Sequence, residues 1–189
     1  MRLNVPTLLT WLRMIAIPLL VAVYLVPGDA FTMPLRNVAA TVIFIAAAVT
    51  DYFDGWLARR LGQLSAFGAF LDPVADKLLV CTALVLLLQL QRVGVLVAVI
   101  IIGREIAISA LREWMATLGA RGNLAVHQIG KLKTTAQLIA IPMLLHHQPL
   151  FGIDVNRIGV WLIWIAALLT LWSMMYYLRQ AWPHMRDSA

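Results

Sequence analysis

Nine acidic residues are spread over 189 positions, yet Asp51, Asp54, Asp72 and Asp76 fall within one 26-residue window. Asp51, Asp54, Gly55, Ala58 and Arg59 are followed, after eight residues, by Gly68, Asp72 and Asp76. On a helix, Asp51 and Asp54 are i,i+3 neighbours with Ala58 beside them; Asp72 and Asp76 are i,i+4, with Gly68 one turn earlier. Two helices joined by a short loop can therefore aim two carboxylate pairs at one point. Four carboxylates in a partly dry site repel one another and take up protons unless a cation neutralises them. Hard divalent cations prefer oxygen ligands, so Mg²⁺, Mn²⁺ or Ca²⁺ is the natural occupant. A pair of such ions can clamp the attacking and leaving oxygens of a displacement at phosphorus. Gly55, Ala58 and Gly68 add no bulk near the acidic face, which leaves room for a nucleotide or phosphate. Plainer readings exist: Asp72-Pro73 as a helix N-cap with proline at the first helical position, or Asp51 and Asp54 paired with Arg59 and Arg60. The first accounts for Asp72 alone and the second for Asp51 and Asp54, and neither accounts for all four.

The elements that carry these residues follow from composition. The chain is 62% hydrophobic and 13% charged, with a mean hydropathy of +0.85, against about half and about a quarter in a soluble domain. That excludes disordered and nucleic-acid-binding classes and predicts an all-α, polytopic membrane protein forming a single domain over residues 1–189. A crossing helix needs roughly 20 apolar residues. Six stretches are candidates: Leu8–Val26, Leu35–Val49 with a polar extension to Arg60, Leu78–Leu90, Val93–Ala110 with an extension to Ala116, Ala136–Leu145 and Ile158–Tyr177. The third and fifth reach full length only if Gly68–Lys77 and Gly130–Thr135 are helical too, and polar helix ends are tolerated where they line a protected cavity. The first stretch has the length of a signal peptide, but Arg13 and Pro18 suit a packed helix better.

With six spans both termini lie on one side, together with Arg2, Arg59, Arg60, Lys77, Arg112, Arg121, Lys131, Lys133, Arg179 and Arg186; Arg36, Arg92 and Arg157 fall on the other. The positive-inside rule then puts the termini and the acidic site in the cytoplasm. The net charge of +6 agrees. The single cysteine, Cys81, can form no internal disulfide.

The acidic segment fits D-x2-D-G-x2-A-R-x8-G-x3-D-x3-D at every fixed position and so resembles the signature of the CDP-alcohol phosphatidyltransferase family. The likeness extends to Asn4-Val-Pro6-Thr7-Leu-Leu-Thr10-Trp-Leu-Arg13, which looks like the start of bacterial members. Gly103-Arg104-Glu105, Leu111-Arg112-Glu113-Trp114 and Gly130-Lys131-Leu-Lys133-Thr134-Thr135-Ala-Gln137 resemble the branch that forms phosphatidylglycerophosphate. The resemblance implies a six-helix transferase of the bacterial inner membrane, a homodimer among membrane lipids, with its site open to the cytoplasm. It implies CDP-diacylglycerol as donor, with its pyrophosphate on two Mg²⁺ or Mn²⁺ ions held by Asp51, Asp54, Asp72 and Asp76. By the same likeness Asp51, Asp54, Gly55, Ala58, Arg59 and Gly68 form the CDP-diacylglycerol pocket, and Asp76 doubles as general base on the acceptor alcohol.

The acceptor is read from cations. Arg104 lies near the end of an apolar span, where an unpaired charge is costly; Lys131 and Lys133 open the fifth helix, and Arg112 belongs to the same loop system. A phosphate-bearing alcohol such as glycerol 3-phosphate suits Arg104, Arg112, Lys131 and Lys133. Competing accounts are topology signals, anchors for anionic lipid, and, for Arg104, simple neutralisation by Glu105. Within the family, the alternative acceptors are inositol phosphate, serine or another lipid. From outside it, a small cation transporter is the rival, although the acids cluster at one membrane face rather than the midplane. Asn4, Thr7, Thr10 and Arg13 recur every three residues, so only adjacent pairs share a helix face; they suit nucleotide contact, contact with the second helix's acids, or capping.

Overall fold

The computed structural model describes residues 5–27, 31–61, 66–117 and 128–187. Six helices follow in order: α1 (Val5–Leu25), α2 (Met33–Leu61), α3 (Ala66–Gln89), α4 (Val95–Thr117), α5 (Gln128–His146) and α6 (Val155–Asp187). The expected all-α class holds. Among the described residues the only β feature is an isolated bridge between Leu150 and Ile153. There Phe151 (φ 52°) and Gly152 (φ 79°) make a tight reversal that folds α6 back along α5.

Each apolar stretch is a helix, and the polar extensions are helical as well. Asp51 continues α2, residues 68–77 open α3, and residues 130–135 lie in α5. Because α3 begins at Ala66, Asp72-Pro73 does not cap it. Pro73 sits inside the helix, where it lacks the N–H that would bond the carbonyl of Ala69.

α1 packs on α2 and α3, α2 on α5, α5 on α6, α6 on α4, and α4 on α3. The spatial order is therefore a closed ring, α1–α2–α5–α6–α4–α3. Its interior holds Leu20, Phe44, Leu84, Ile101, Ile141 and Leu144. Small residues between them, such as Ala40, Ala83, Ala98 and Ala140, allow close helix approach. Gly159 of α6 is one such point: a Cβ there would stand 3.0 Å from Leu144 Cγ and 3.2 Å from Met143 Cβ.

The outside of the ring is apolar: Leu12, Ile15, Val42, Ile106, Leu168 and Trp172 are all exposed. Two segments, Met33–Asp51 and Val155–Arg179, are long and apolar enough to cross a membrane, with mean hydropathies of 1.6 and 2.0.

At the end of the ring away from the acids, Arg92 and Arg36 are engaged with backbone. Arg92 donates to the carbonyls of Leu144 and Leu145 at the end of α5, at 3.1 and 2.7 Å, and to Asn37 Oδ1 at 2.8 Å. The Tyr24 hydroxyl donates to the same Asn37 oxygen. Arg36 donates to the carbonyls of Tyr24, Val26 and Phe31. These cations answer the unsatisfied carbonyls at helix C-termini, which ties α1, α2, α3 and α5 together at that end.

Candidate active site

α1 borders both acid-bearing helices, and two of its residues, one turn apart, reach one acid on each. The Thr10 hydroxyl donates to Asp72 Oδ1 at 2.5 Å. Arg13 Nη1 lies 2.6 Å from Asp51 Oδ1, with the arginine side chain fully buried and the aspartate side chain 44% exposed. A buried guanidinium is tolerated there because the carboxylate answers its charge. Thr10 and Arg13 thus bind the α2 acid and the α3 acid to a common support, the contact with the second helix's acids being one of the alternatives their spacing allowed. Asp51 takes Arg13 as its partner.

The acids themselves are within electrostatic reach of one another. Asp51 and Asp72 repel, as do Asp51 and Asp76, while Arg13 attracts both Asp51 and Asp76. Gly68 is buried on α3, one turn before Asp72. Asp54, Gly55, Ala58 and Arg59 lie on the α2 backbone beyond Asp51, and their side chains fall outside the described residues. Among the described residues no three His, Cys, Asp or Glu side chains form a ready metal cage. The donor chemistry nevertheless suits a hard cation: Asp51, Asp72 and Asp76 offer carboxylate oxygens, Asp51 repels the other two, and Arg13 is the neighbouring counter-charge.

A second group of charges sits between α4, α5 and α6. Glu105 is its hub: Oε1 accepts from Arg104 Nη1 at 3.1 Å and from Lys133 Nζ. Arg104 and Lys133 are both buried. The neutralisation of Arg104 by Glu105 is therefore real, but it is shared, with two cations on one carboxylate. This group adjoins the acids, since the Glu105 charge is felt at Asp76. Of the four residues read as acceptor ligands, the structure brings Arg104 and Lys133 together. Arg112 lies in α4 and Lys131 in α5, with side chains outside the described residues; Arg121 also lies outside them. Beside the acids, Phe44, Ile45, Ala48 and Val49 of α2 and Leu138 of α5 line an apolar groove of about 290 Å³.

A sequence model of the CDP-alcohol phosphatidyltransferase family matches residues 3–172. The chain belongs to that family. Curated relatives agree along the whole length. Proteins named CDP-diacylglycerol–glycerol-3-phosphate 3-phosphatidyltransferase from Shigella flexneri serotype 5b (strain 8401), Shigella boydii serotype 4 (strain Sb227) and Escherichia coli (strain K12) are each 50% identical over 189 residues. The match covers 99% of this chain and 100% of theirs. Asp51 and Asp72, the acids that α1 contacts, lie within the matched span.

Three features of the site were not read from the sequence. The periodicity of Thr10 and Arg13 left the second helix's acids as one of several possible partners and did not point to Asp72 of the third. Glu105 was read as a neutraliser, not as a bridge between helices. The polar residues of α6 next to Arg104, Ser173 and Tyr177, sit in an apolar run; Ser173 one turn after Thr170, and Tyr177 one turn after that, was the available signal.

Proposed function

We propose that this protein transfers the phosphatidyl group of CDP-diacylglycerol to glycerol 3-phosphate, giving phosphatidylglycerophosphate and CMP in phospholipid synthesis. The observation that carries this reading is the juxtaposition of two oppositely charged groups: carboxylates on α2 and α3, and the Arg104–Lys133 pair, gathered by Glu105, on α4 and α5, both of which pack on α3. One group suits a pyrophosphate with its cations, and the other suits the phosphate of an acceptor alcohol. The groove beside Val49 and Leu138 suits an acyl chain of the lipid donor.

Asp51, Asp54, Asp72 and Asp76 would hold two Mg²⁺ or Mn²⁺ ions, which when bound offset the pyrophosphate charge. Gly55, Ala58 and Gly68 leave space for the CDP moiety, and Arg59 stabilises the CMP that departs. Arg104 and Lys133, with Arg112 and Lys131, hold the acceptor phosphate, so that its hydroxyl is presented to the carboxylates. Asp76 accepts the hydroxyl proton as the oxygen bonds to the phosphorus bearing diacylglycerol. The bond from that phosphorus to the CMP oxygen breaks, and CMP carries away the electron pair. Thr10 and Arg13 keep Asp72 and Asp51 from turning away during this exchange.

All six helices cross the bacterial inner membrane, with both termini and the site on the cytoplasmic side, and the working unit is a homodimer. The deciding experiment is CMP release by the purified protein in detergent, with CDP-diacylglycerol, Mg²⁺ or Mn²⁺, and one alcohol at a time. Chelator-sensitive release with glycerol 3-phosphate alone supports the assignment. Release with inositol phosphate, serine or phosphatidylglycerol instead overturns the acceptor and keeps the site. Asp76→Asn is expected to abolish CMP release while CDP-diacylglycerol binding persists; near-normal turnover removes Asp76 as the base.

A further inference from the structure

Arg104 is held on three sides, two of them by α6, beyond the residues that the family's sequence model matches. Its side chain is only 6% exposed. Nη1 is committed to Glu105 at 3.1 Å. Nη2 faces Ser173 Oγ at the long distance of 3.4 Å. Ser173 gives its own proton to the Thr170 carbonyl at 3.0 Å, so its oxygen presents a lone pair to the guanidinium. The Arg104 guanidinium carbon lies 6.0 Å from the Tyr177 ring centroid, within cation–π range. Tyr176 meets that ring edge-on at 6.4 Å. Ser173 and Tyr177 are themselves 3% and 2% exposed.

What this clamp leaves over is informative. Arg104 Nε is buried with no hydrogen-bond partner among the described residues, a costly state unless something accepts its hydrogen bond. Nε and Nη2 share one edge of the guanidinium, the fork that takes two oxygens of a single phosphate. The edge spent on Glu105 is the other one. Among the described residues the Nε–Nη2 fork therefore has only the long Ser173 contact at Nη2.

We propose that Ser173 and Tyr177 are positioning residues that hold Arg104 with its Nε–Nη2 edge turned toward the acceptor's phosphate. The proposal rests on the reading of Arg104 as a phosphate ligand. It makes α6 a determinant of acceptor affinity, although α6 contributes no acid to the site. Tyr177 fixes the plane of the guanidinium, and Ser173 fixes its rotation within that plane. An oxyanion that docks on the fork replaces the long Ser173 contact with shorter, charge-assisted bonds.

The test uses full-length enzyme in detergent, with steady-state CMP release measured against both substrates. Ser173→Ala and Tyr177→Leu are each expected to raise KM for glycerol 3-phosphate by about threefold to tenfold. In both variants kcat stays within about twofold and KM for CDP-diacylglycerol is unchanged. Tyr177→Phe, which keeps the ring, restores most of the loss. In an Arg104→Gln background, Ser173→Ala adds no further increase, because the residue acts through Arg104. If Arg104→Gln raises KM but the α6 variants do not, the clamp is overturned and Arg104 keeps its role. If Arg104→Gln leaves KM unchanged, the reading of Arg104 falls and the clamp with it. If the α6 variants impair both substrates alike, or Tyr177→Phe is as poor as Tyr177→Leu, their role is general packing and the proposal fails. Should Tyr177→Leu not fold, Ser173→Ala and its double-mutant cycle decide the matter alone.

Discussion

Thr10 is a hydroxyl among apolar neighbours whose bond to Asp72 determines where one carboxylate oxygen points. Its partner on the same face, Arg13, does the same for Asp51 with a charge. Each orients a carboxylate of the site, so their removal is expected to disturb rate more than fold. Thr10→Val keeps shape and deletes the donor; turnover should fall about tenfold, the size of one charge-assisted hydrogen bond lost in the transition state. Thr10→Ser should return to within about twofold, and CMP release by the two variants under saturating substrate checks both statements. A Val variant with unchanged turnover would mean that Asp72 is oriented without α1. This part of the site could be read only halfway from the sequence. Helical spacing said which of Asn4, Thr7, Thr10 and Arg13 share a face, but the partner across the bundle depends on how α1 is rotated against α2 and α3. The nearness of Asp51 to Asp72 and Asp76 was legible because their spacing is internal to two helices joined by a short loop.

At the scale of elements, the two ends of the bundle have separate duties. The Arg92–Asn37–Tyr24 knot closes helix ends far from the acids. Arg92→Ala is expected to lower stability by about 2 kcal/mol, since it strips a charged donor from several acceptors at once. KM for both substrates should not move. A thermal melt in detergent beside the kinetic assay checks this; an altered KM would show that the two ends are coupled. Gly159→Val tests the α5–α6 seam. The side chain would drive into Met143 and Leu144, and overpacking of this kind costs about 1–3 kcal/mol, visible as a lower melting temperature. An unchanged melt would mean that the helices separate freely at that point. Helix number, order and polar extensions were legible because hydropathy marks them directly. The α6 polar triplet of Thr170, Ser173 and Tyr177 was not, because three polar residues in a long apolar run leave the average hydropathy high, and burial opposite Arg104 is a property of the pair of helices.

For the whole molecule, the apolar sheath makes orientation a matter for direct measurement. In a Cys81→Ser background, a cysteine at Phe151, 95% exposed in the α5–α6 turn, should react with a membrane-impermeant maleimide on intact spheroplasts. A cysteine at Arg179, exposed near the other end of α6, should react only after permeabilisation. The reverse pattern would overturn the topology that places the acids in the cytoplasm. The ring order also sets a timetable for synthesis. Chains emerge from their N-terminus, and α1, α2 and α3 are mutual neighbours, so the acids and their Thr10–Arg13 support can come together as soon as three helices have left the ribosome. The cationic half draws on α4, α5 and α6 and waits for the last of them. In the proposed reading, the half that would grip the activated lipid is therefore assembled before the half that would hold its acceptor, and α6 closes the second.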